Sequence, residues 1–252
     1  MWEVSAKKTA QETTLDGFLN NRIVLEQPAD GYRAAVDTVL LAAAVPAHVG
    51  EKVLDLGCGA GGAMLCLAAR VPGISTLGVE IQNELRLLCR DNIMRNGLKA
   101  NLAVQDGDAT VLSSALSGFF DHVIMNPPYH DEARHDVSPH AQKRIANTEK
   151  SGDLALWLAN AVRALKPSGC LTLIHRADRL EEILACVSPA SCMVEIFDII
   201  PKAGMPPKRV IVCVHKGVTP SLLQKRDFIL HRSDGRYTDE AESVLRNGAA
   251  LG

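Results

Sequence analysis

Short apolar runs of β type alternate with longer segments of helical periodicity through the middle of the chain. Five of these runs predict buried parallel strands, at residues 52–56, 75–79, 100–104, 122–125 and 170–174. Apolar residues at helical spacing predict helices at residues 63–70, 83–96 and 153–165, the last ended by a turn at 166–169. Alternating strands and helices are typical of a doubly wound α/β fold with a mostly parallel sheet.

The last third of the chain contains two further β-type runs, at residues 193–200 and 209–214. Parallel pairing needs a crossover of a dozen or more residues, and the connection between these runs is shorter, so we predict one antiparallel strand. The sheet is therefore predicted to have seven strands, with the antiparallel strand near its edge. Residues 1–50 are predicted to form an N-terminal extension with a possible hairpin and a helix at 34–45. Residues 51–252 are predicted to form the core of a single globular domain.

The composition narrows the class of protein. Of the 252 residues, 47% are hydrophobic, which suffices for a sizeable buried core and excludes a disordered chain. The net charge of −2 predicts no strong overall attraction to nucleic acid or membranes, and no apolar stretch approaches the roughly 18 residues of a membrane span. Seven scattered cysteines without a CxxC pair indicate reduced thiols in a cytoplasmic protein rather than a disulfide framework or a zinc site.

A glycine-rich segment follows the first predicted parallel strand. Gly57, Gly59 and Gly62 fit the pattern G-x-G-x-x-G at a strand-to-helix junction, where backbone N–H groups can approach a ligand closely. Glu80 ends the next strand, where an acid can accept hydrogen bonds from ribose hydroxyls. These features predict a nucleoside cofactor, but they do not separate NAD from other cofactors of this kind.

Asp55, two residues before the first glycine, favours a cationic cofactor, because a carboxylate there would repel the pyrophosphate of a dinucleotide. The segment DLGCGAG resembles the glycine loop of class I S-adenosylmethionine-dependent methyltransferases. The resemblance implies that S-adenosyl-L-methionine is the cofactor, that Glu80 holds its ribose, and that Asp108, rather than Asp106, reaches its adenine amino group. The implied cofactor site comprises Asp55, Gly57, Cys58, Gly59, Gly61, Glu80, Ile81, Asp108, Ala109 and Asn126.

The segment Asn126-Pro127-Pro128-Tyr129 follows the fourth predicted strand. At this place it resembles the motif of enzymes that methylate planar exocyclic amino nitrogens: adenine-N6, cytosine-N4, guanine-N2 or glutamine-N5. Because the lone pair of such a nitrogen is delocalised, the side-chain oxygen of Asn126 and the carbonyl of Pro127 are predicted to accept its N–H groups and orient it. Pro127 and Pro128 stiffen the loop, and Tyr129 offers a flat face for a base. All four are predicted catalytic residues.

The segment before the glycine loop narrows the substrate. Its QP..GYR...D..LLAA arrangement, together with NPPY, resembles the bacterial valine-tRNA (adenine-N6)-methyltransferase family. The resemblance implies methylation of adenine-N6 in an RNA substrate, in this family a tRNA. It also implies a segment that closes over the methionine end of the cofactor through Gly31, Tyr32, Arg33 and Asp37. A guanine-N2 rRNA methyltransferase, a glutamine-N5-methyltransferase acting on release factors and a non-catalytic binding module remain open alternatives.

Two groups of polar residues are not assigned to the chemistry. His130, His135 and His140 recur every five residues, a spacing that places them on no common helix face, so no metal site is predicted. Residues 130–150 are predicted to form a mobile lid over the target. The basic residues considered for contact with RNA phosphates are Lys143, Arg144, Lys202, Lys208, Arg209, Arg232 and Arg236. The sequence predicts no membrane partner and sets no oligomeric state.

Overall fold

The computed structural model describes residues 12–30, 33–128, 130–131, 148–149, 153–187, 192–218 and 223–251. The strands are β1 (Thr13–Phe18), β2 (Ile23–Pro28), β3 (Lys52–Leu56), β4 (Ser75–Glu80), β5 (Leu102–Asp106), β6 (Phe120–Met125), β7 (His130–Asp131), β8 (Thr148–Glu149), β9 (Leu165–Arg176), β10 (Cys192–Lys202), β11 (Arg209–Lys216) and β12 (Leu223–His231). The α-helices are α1 (Val36–Ala44), α2 (Gly62–Arg70), α3 (Asn83–Arg95), α4 (Asp153–Ala164), α5 (Leu180–Cys186) and α6 (Asp239–Asn247). Three short 3₁₀ turns lie at Ala109–Val111, Ser114–Leu116 and Ala177–Arg179.

Eight of the described strands form the main sheet, in the order β12-β10-β11-β9-β6-β3-β4-β5. β11 runs antiparallel to both of its neighbours, and every other neighbouring pair in this sheet is parallel. The chain winds outward from β3 through β4 to β5 and then returns to β6 on the other side of β3. Strand order therefore reverses between β3 and β6, and open α/β sheets bind ligands at the carboxyl ends of the strands at such a point.

The predicted α/β sheet, mostly parallel with one antiparallel strand near its edge, is confirmed, but two details differ. The predicted count of seven strands is one too low, because β12 has the sequence LQKRDFILH, whose exposed charged residues hide its β pattern. Charged residues are common on edge strands, since they discourage pairing with another chain. The turn predicted at 166–169 is instead part of an irregular β9, whose pairing with β6 shifts register between Phe120 and His122.

Helices cover both faces of the sheet, which confirms the doubly wound arrangement. The helices α1, α2, α3 and α6 pack with the β1–β2 hairpin on one face, in a core that includes Leu40 and Leu65. The helices α4 and α5 cover the other face, in a core that includes Leu158 and Ile183. No helix in the described part of the chain is long and apolar enough to cross a bilayer.

Helix ends coincide with simple local signals. The hydroxyl oxygen of Thr238 accepts a hydrogen bond from the Ala241 N–H at 3.1 Å and so caps the start of α6. Gly248 ends the same helix with a left-handed φ of 71°. Gly97, with a φ of 70°, plays the same part just after α3, where the sequence predicts the stop.

The antiparallel β1–β2 hairpin lies against α2 and α3. Its turn contains three successive residues with left-handed φ values, Leu19 at 53°, Asn20 at 54° and Asn21 at 62°. Asparagine adopts this conformation readily, whereas leucine rarely does. The Leu19 side chain is buried in the core, and that burial offsets the backbone strain. The division into an extension of residues 1–50 and a core of residues 51–252 stays a prediction.

Candidate active site

The glycine loop joins β3 to α2 in an unusual backbone conformation. Gly57, Gly59 and Gly61 all have left-handed φ values, of 69°, 55° and 91°. A Cβ atom on Gly57 would lie 2.5 Å from the Trp157 ring, whereas the space beside Gly59 is open. Glycine is therefore required at position 57 by packing and conformation together, and at position 59 it leaves room for a ligand.

Asp55 lies in β3 below this loop and is almost completely buried. Its carboxylate accepts a hydrogen bond from the Met64 N–H in the first turn of α2. Burial, and to a smaller extent the nearby charge of Glu80, raise the pKa of Asp55 to about 7. The Oδ2 atom of this carboxylate is buried without a hydrogen-bond partner. Burying an acceptor without a hydrogen bond costs free energy. The N–H groups of a bound cation would supply the missing donor.

Glu80 ends β4 and connects this strand to the glycine loop. Its Oε2 accepts the Gly59 N–H at 2.9 Å, and its Oε1 accepts the Gln82 N–H at 2.8 Å. Burial raises the pKa of Glu80, and these backbone donors together with that of Ile81 lower it in part. A carboxylate oxygen can accept more than one hydrogen bond, so Glu80 retains acceptor capacity for the hydroxyls of a ligand.

Asn126 and Pro127 follow β6 at the point where strand order reverses. In β6, Met125 pairs with Leu56 of β3, so Asn126 emerges beside the glycine loop. Asn126 lines the same cleft as Asp55, and Pro127 is buried just beyond it. The structure thus brings the predicted target-binding segment and the predicted cofactor loop together.

A cleft lies between the glycine loop, the end of β6, the β1–β2 hairpin and α1. Of the predicted site residues, Asp55, Gly57, Cys58, Gly59 and Asn126 line it. Its other walls include residues that the sequence analysis did not predict, among them Gln27, Pro28, Ala34, Thr38 and Leu85. The QP of the QP..GYR pattern is Gln27-Pro28, so a sequence signal for the hairpin wall was present.

Gln27 joins the hairpin to the segment before α1. Its Oε1 accepts the Ala34 N–H at 2.8 Å, and its Nε2 donates to Asp16 Oδ2 at 2.9 Å. Arg33 donates to the same carboxylate oxygen at 2.6 Å and to the Pro28 carbonyl at 2.7 Å. These bonds fix the hairpin wall of the cleft.

Several predicted residues lie outside the cleft lining. Arg33 is engaged by the hairpin, and Asp37 pairs with Arg209 Nε at 2.9 Å. Asp108 caps the turn at Ala109–Val111, with its Oδ1 accepting the Thr110 N–H at 2.7 Å. Asp106, the alternative to Asp108, pairs with Arg86 at 2.6 Å. The predicted residues Gly31, Tyr32 and Tyr129 lie outside the described residues.

The remaining predicted residues also do not line the cleft. Gly61 caps α2, and Ile81 is exposed after β4. Ala109 is buried, and its carbonyl accepts a hydrogen bond from Asn160. Within the described residues, no group of three or more His, Cys, Asp or Glu side chains could hold a metal ion. His135 and His140 lie outside those residues, as do Lys143 and Arg144.

A glycine loop over a strand, an acid ending the next strand and an NPP segment at the strand-order reversal together define a class I methyltransferase. The sequence profile of the "Methyltransferase small domain" family matches residues 33–185, more than half of the chain. The chain belongs to this family. Its methyl donor is S-adenosyl-L-methionine, and the unpartnered buried oxygen of Asp55 and the open space beside Gly59 fit that cationic ligand.

Curated relatives match nearly the whole chain. A protein of Dickeya chrysanthemi (strain Ech1591) named tRNA1(Val) (adenine(37)-N6)-methyltransferase is 24% identical over 92% of this chain and 93% of its own length. A protein of the same name from Actinobacillus pleuropneumoniae serotype 5b (strain L20) is 26% identical over 93% of this chain and 97% of its own length.

Two solved structures resemble this chain and agree with the methyltransferase fold. A predicted O-methyltransferase from Agrobacterium tumefaciens is 26% identical, with a TM-score of 0.70 over 85% of this chain and 98% of that chain. A precorrin-6y C5,15-methyltransferase from Geobacter metallireducens GS-15 is 15% identical, with a TM-score of 0.52 over 71% of this chain and 86% of that chain, and shows the fold alone.

Proposed function

We propose that this methyltransferase transfers a methyl group to the N6 atom of an adenine in tRNA. The observation that carries the proposal is Asn126-Pro127-Pro128 at the carboxyl end of β6, where Asn126 lines the cofactor cleft. The names of the curated relatives support adenine-N6 as the target and tRNA as its carrier. A tRNA substrate also implies a cytoplasmic location.

The cofactor is proposed to bind between the glycine loop and the hairpin wall. S-adenosyl-L-methionine supplies the methyl group. Asp55 would accept a hydrogen bond from its ammonium group with the free Oδ2 atom, and Glu80 would accept ribose hydroxyls with its remaining lone pairs. Asp108 would reach the adenine amino group with the oxygen that does not cap the turn. Arg33 and Asp37 would act indirectly, by fixing the segment beside the cleft.

The target amino group is proposed to be held by acceptors of this chain alone. The side-chain oxygen of Asn126 and the carbonyl of Pro127 would each accept one N–H bond. Both acceptors stabilise the positive charge that develops on the nitrogen, and the two prolines keep them fixed. Tyr129 would stack on the base, which must be unstacked from its neighbours to enter the cleft.

The RNA is proposed to approach over the carboxyl edge of the sheet. The loop between β10 and β11 lies at this edge and carries Lys202 and Lys208, both exposed and without an acidic partner among the described residues. The Arg209–Asp37 pair connects this loop to the start of α1, whose Thr38 lines the cleft. Phosphate contacts would thus fall beside the site, although the whole chain is slightly acidic.

The test is to identify the methylated product. Purified enzyme is incubated with isotopically labelled S-adenosyl-L-methionine and unmodified tRNA, rRNA or release factor, and the nucleosides or amino acids are analysed by mass spectrometry. Labelled N6-methyladenosine in tRNA is the expected result. Labelled N2-methylguanosine, N5-methylglutamine or an O-methylated product, with no labelled N6-methyladenosine, would contradict the proposal and identify a different substrate.

A further inference from the structure

One buried asparagine in α3 joins the two sides of the cofactor cleft. Asn92 is fully buried. Its Nδ2 donates to the Ala60 carbonyl of the glycine loop at 3.0 Å and to the Glu26 carbonyl of β2 at 2.8 Å. Its Oδ1 accepts the Glu26 N–H at 2.7 Å and an Arg95 N–H at 2.9 Å. Both donors and both acceptor sites of this amide are therefore used.

The contact with Ala60 fixes one peptide plane in the glycine loop. The Ala60 carbonyl belongs to the peptide whose N–H, that of Gly61, donates to the Cys58 carbonyl at 2.9 Å. Two residues earlier in the loop, the Gly59 N–H donates to Glu80. Since glycines permit many backbone conformations, a loop of this composition needs such bonds to hold one of them.

The contacts with Glu26 fix the opposite wall. Glu26 directly precedes Gln27 and Pro28, which line the cleft. Arg95 also pairs with the Glu26 carboxylate at 2.5 Å. The Asn92 side chain thus links the glycine loop and the hairpin wall, and so sets their separation.

Asn96, one helical turn later, supplies a natural comparison. Its Oδ1 accepts the Val24 N–H at 3.0 Å, and its Nδ2 donates to the Val24 carbonyl at 2.9 Å. Its other bond is to the Asn92 carbonyl within α3. Asn96 therefore binds the backbone of β2 through a donor and an acceptor, as Asn92 does, but it makes no hydrogen bond to the glycine loop.

We propose that Asn92 is a positioning residue for cofactor binding, which couples the hairpin to the glycine loop. It is not among the residues that line the cleft, and it acts through Ala60 and Glu26. A consequence is that a ligand which orders the loop also orders β2, because both accept hydrogen bonds from the same amide.

The test compares Asn92→Ala with Asn96→Ala. Both variants lose the grip on β2, and both are expected to lower the thermal unfolding midpoint of the ligand-free protein. Isothermal titration with S-adenosylhomocysteine is expected to show about tenfold weaker binding for Asn92→Ala and less than about twofold for Asn96→Ala, a tenfold change being about 1.4 kcal/mol. Equal weakening in both variants, or unchanged binding in both, would overturn the proposal.

A second pair keeps the test decisive if the alanine variants do not fold. Asn92→Asp retains the acceptor for the Glu26 N–H but loses the donors to the Ala60 and Glu26 carbonyls. Asn96→Asp retains the acceptor for the Val24 N–H but loses the donors to the Val24 and Asn92 carbonyls. The same difference in affinity is expected. Hydrogen exchange gives a separate reading: S-adenosylhomocysteine should slow exchange in β2 of the wild type and of Asn96→Asp, but not of Asn92→Asp. Slowing of equal size in all three proteins would exclude the coupling.

Discussion

The two ends of the central sheet each hold buried polar groups, but they are composed differently. At the carboxyl end, Asp55 lies close to a second acid, Glu80, and one of its oxygens has no partner. At the amino end, His122, Cys170 and His215 lie in register across β6, β9 and β11. Acids flank this row, with Glu51 2.9 Å from His122 and Glu195 3.4 Å from His215.

The difference shows how a structural cluster is distinguished from a ligand site. At the amino end each histidine faces an acid, so charge is compensated within the protein, although His122 Nδ1 and His215 Nε2 are also buried without a hydrogen-bond partner. At the carboxyl end burial raises the pKa of both Asp55 and Glu80, because the charged forms lack compensation within the protein. A cationic ligand can supply that compensation. Five experiments test this difference between the two ends of the sheet.

The largest effect is expected from Asn126→Ala, which removes an acceptor for the target amino group. Methyl transfer in a single turnover should slow by about 10² to 10³, while the affinity for S-adenosylhomocysteine stays nearly unchanged. Asn126→Asp retains an acceptor of the same size and should keep part of the activity. A wild-type rate for Asn126→Ala on an established substrate would show that NPP is only a rigid turn.

Glu80→Ala should weaken cofactor binding by about 1–3 kcal/mol, because it removes a charge-assisted acceptor and frees the Gly59 N–H. Titration calorimetry with S-adenosylhomocysteine measures the change. Asp106→Ala is the matched control, since this acid also lies at a strand end but pairs with Arg86. Equal losses in the two variants would contradict the assignment of Glu80.

Cofactor affinity should rise with pH through about 7, the pKa of Asp55. Its carboxylate form attracts the cationic ligand, so binding lowers the pKa and releases a proton. Between pH 6 and 7.5 the affinity for S-adenosyl-L-methionine should increase roughly tenfold. In the ligand-free protein the sign is opposite: the raised pKa makes Asp55 increasingly destabilising as pH rises towards 7. Asp55→Asn should flatten the affinity profile, and an unchanged profile would assign the titration to another group.

His122→Phe at the amino end should lower the free energy of unfolding by about 1–1.5 kcal/mol without altering cofactor affinity. Burial lowers the pKa of His122, but hydrogen bonds with Cys170 and Glu51 more than compensate and raise it. A raised histidine pKa stabilises the fold below its unfolded value near 6.5, and this contribution is lost as pH rises through the folded value. The difference from wild type in chemical denaturation should therefore shrink at alkaline pH. A change in cofactor affinity would remove the contrast between the two ends.

The smallest effect is expected from single lysines. Lys202→Ala or Lys208→Ala should weaken tRNA binding a few-fold and reduce the slope of log affinity against log salt by about one. Lys99→Ala, an exposed lysine before β5 at the opposite end of the sheet, should change neither quantity. Equal slopes for all three variants would show that the RNA does not bind at the β10–β11 loop.

Sequence patterns predicted the parts of the fold that depend on local composition. Buried strands such as β11 contain continuous apolar runs, here residues 210–214, and the glycine loop follows from spacing alone. The edge strand β12 was not predicted, because only Phe228 in it is fully buried and the strand therefore has no apolar pattern. The hairpin wall of the cleft could not be placed either, since its position depends on Asn92, 66 residues after Glu26 in the chain.

That separation has a consequence for the order of folding during synthesis. The hairpin leaves the ribosome first, yet Val24 acquires its partner Asn96 only 72 residues later, roughly 4 to 14 seconds at ordinary translation rates. A two-stranded hairpin alone is marginally stable in water. The hairpin wall of the cleft is thus completed late in folding. During synthesis, β1 and β2 exist for a time without α3, the helix that holds them in place.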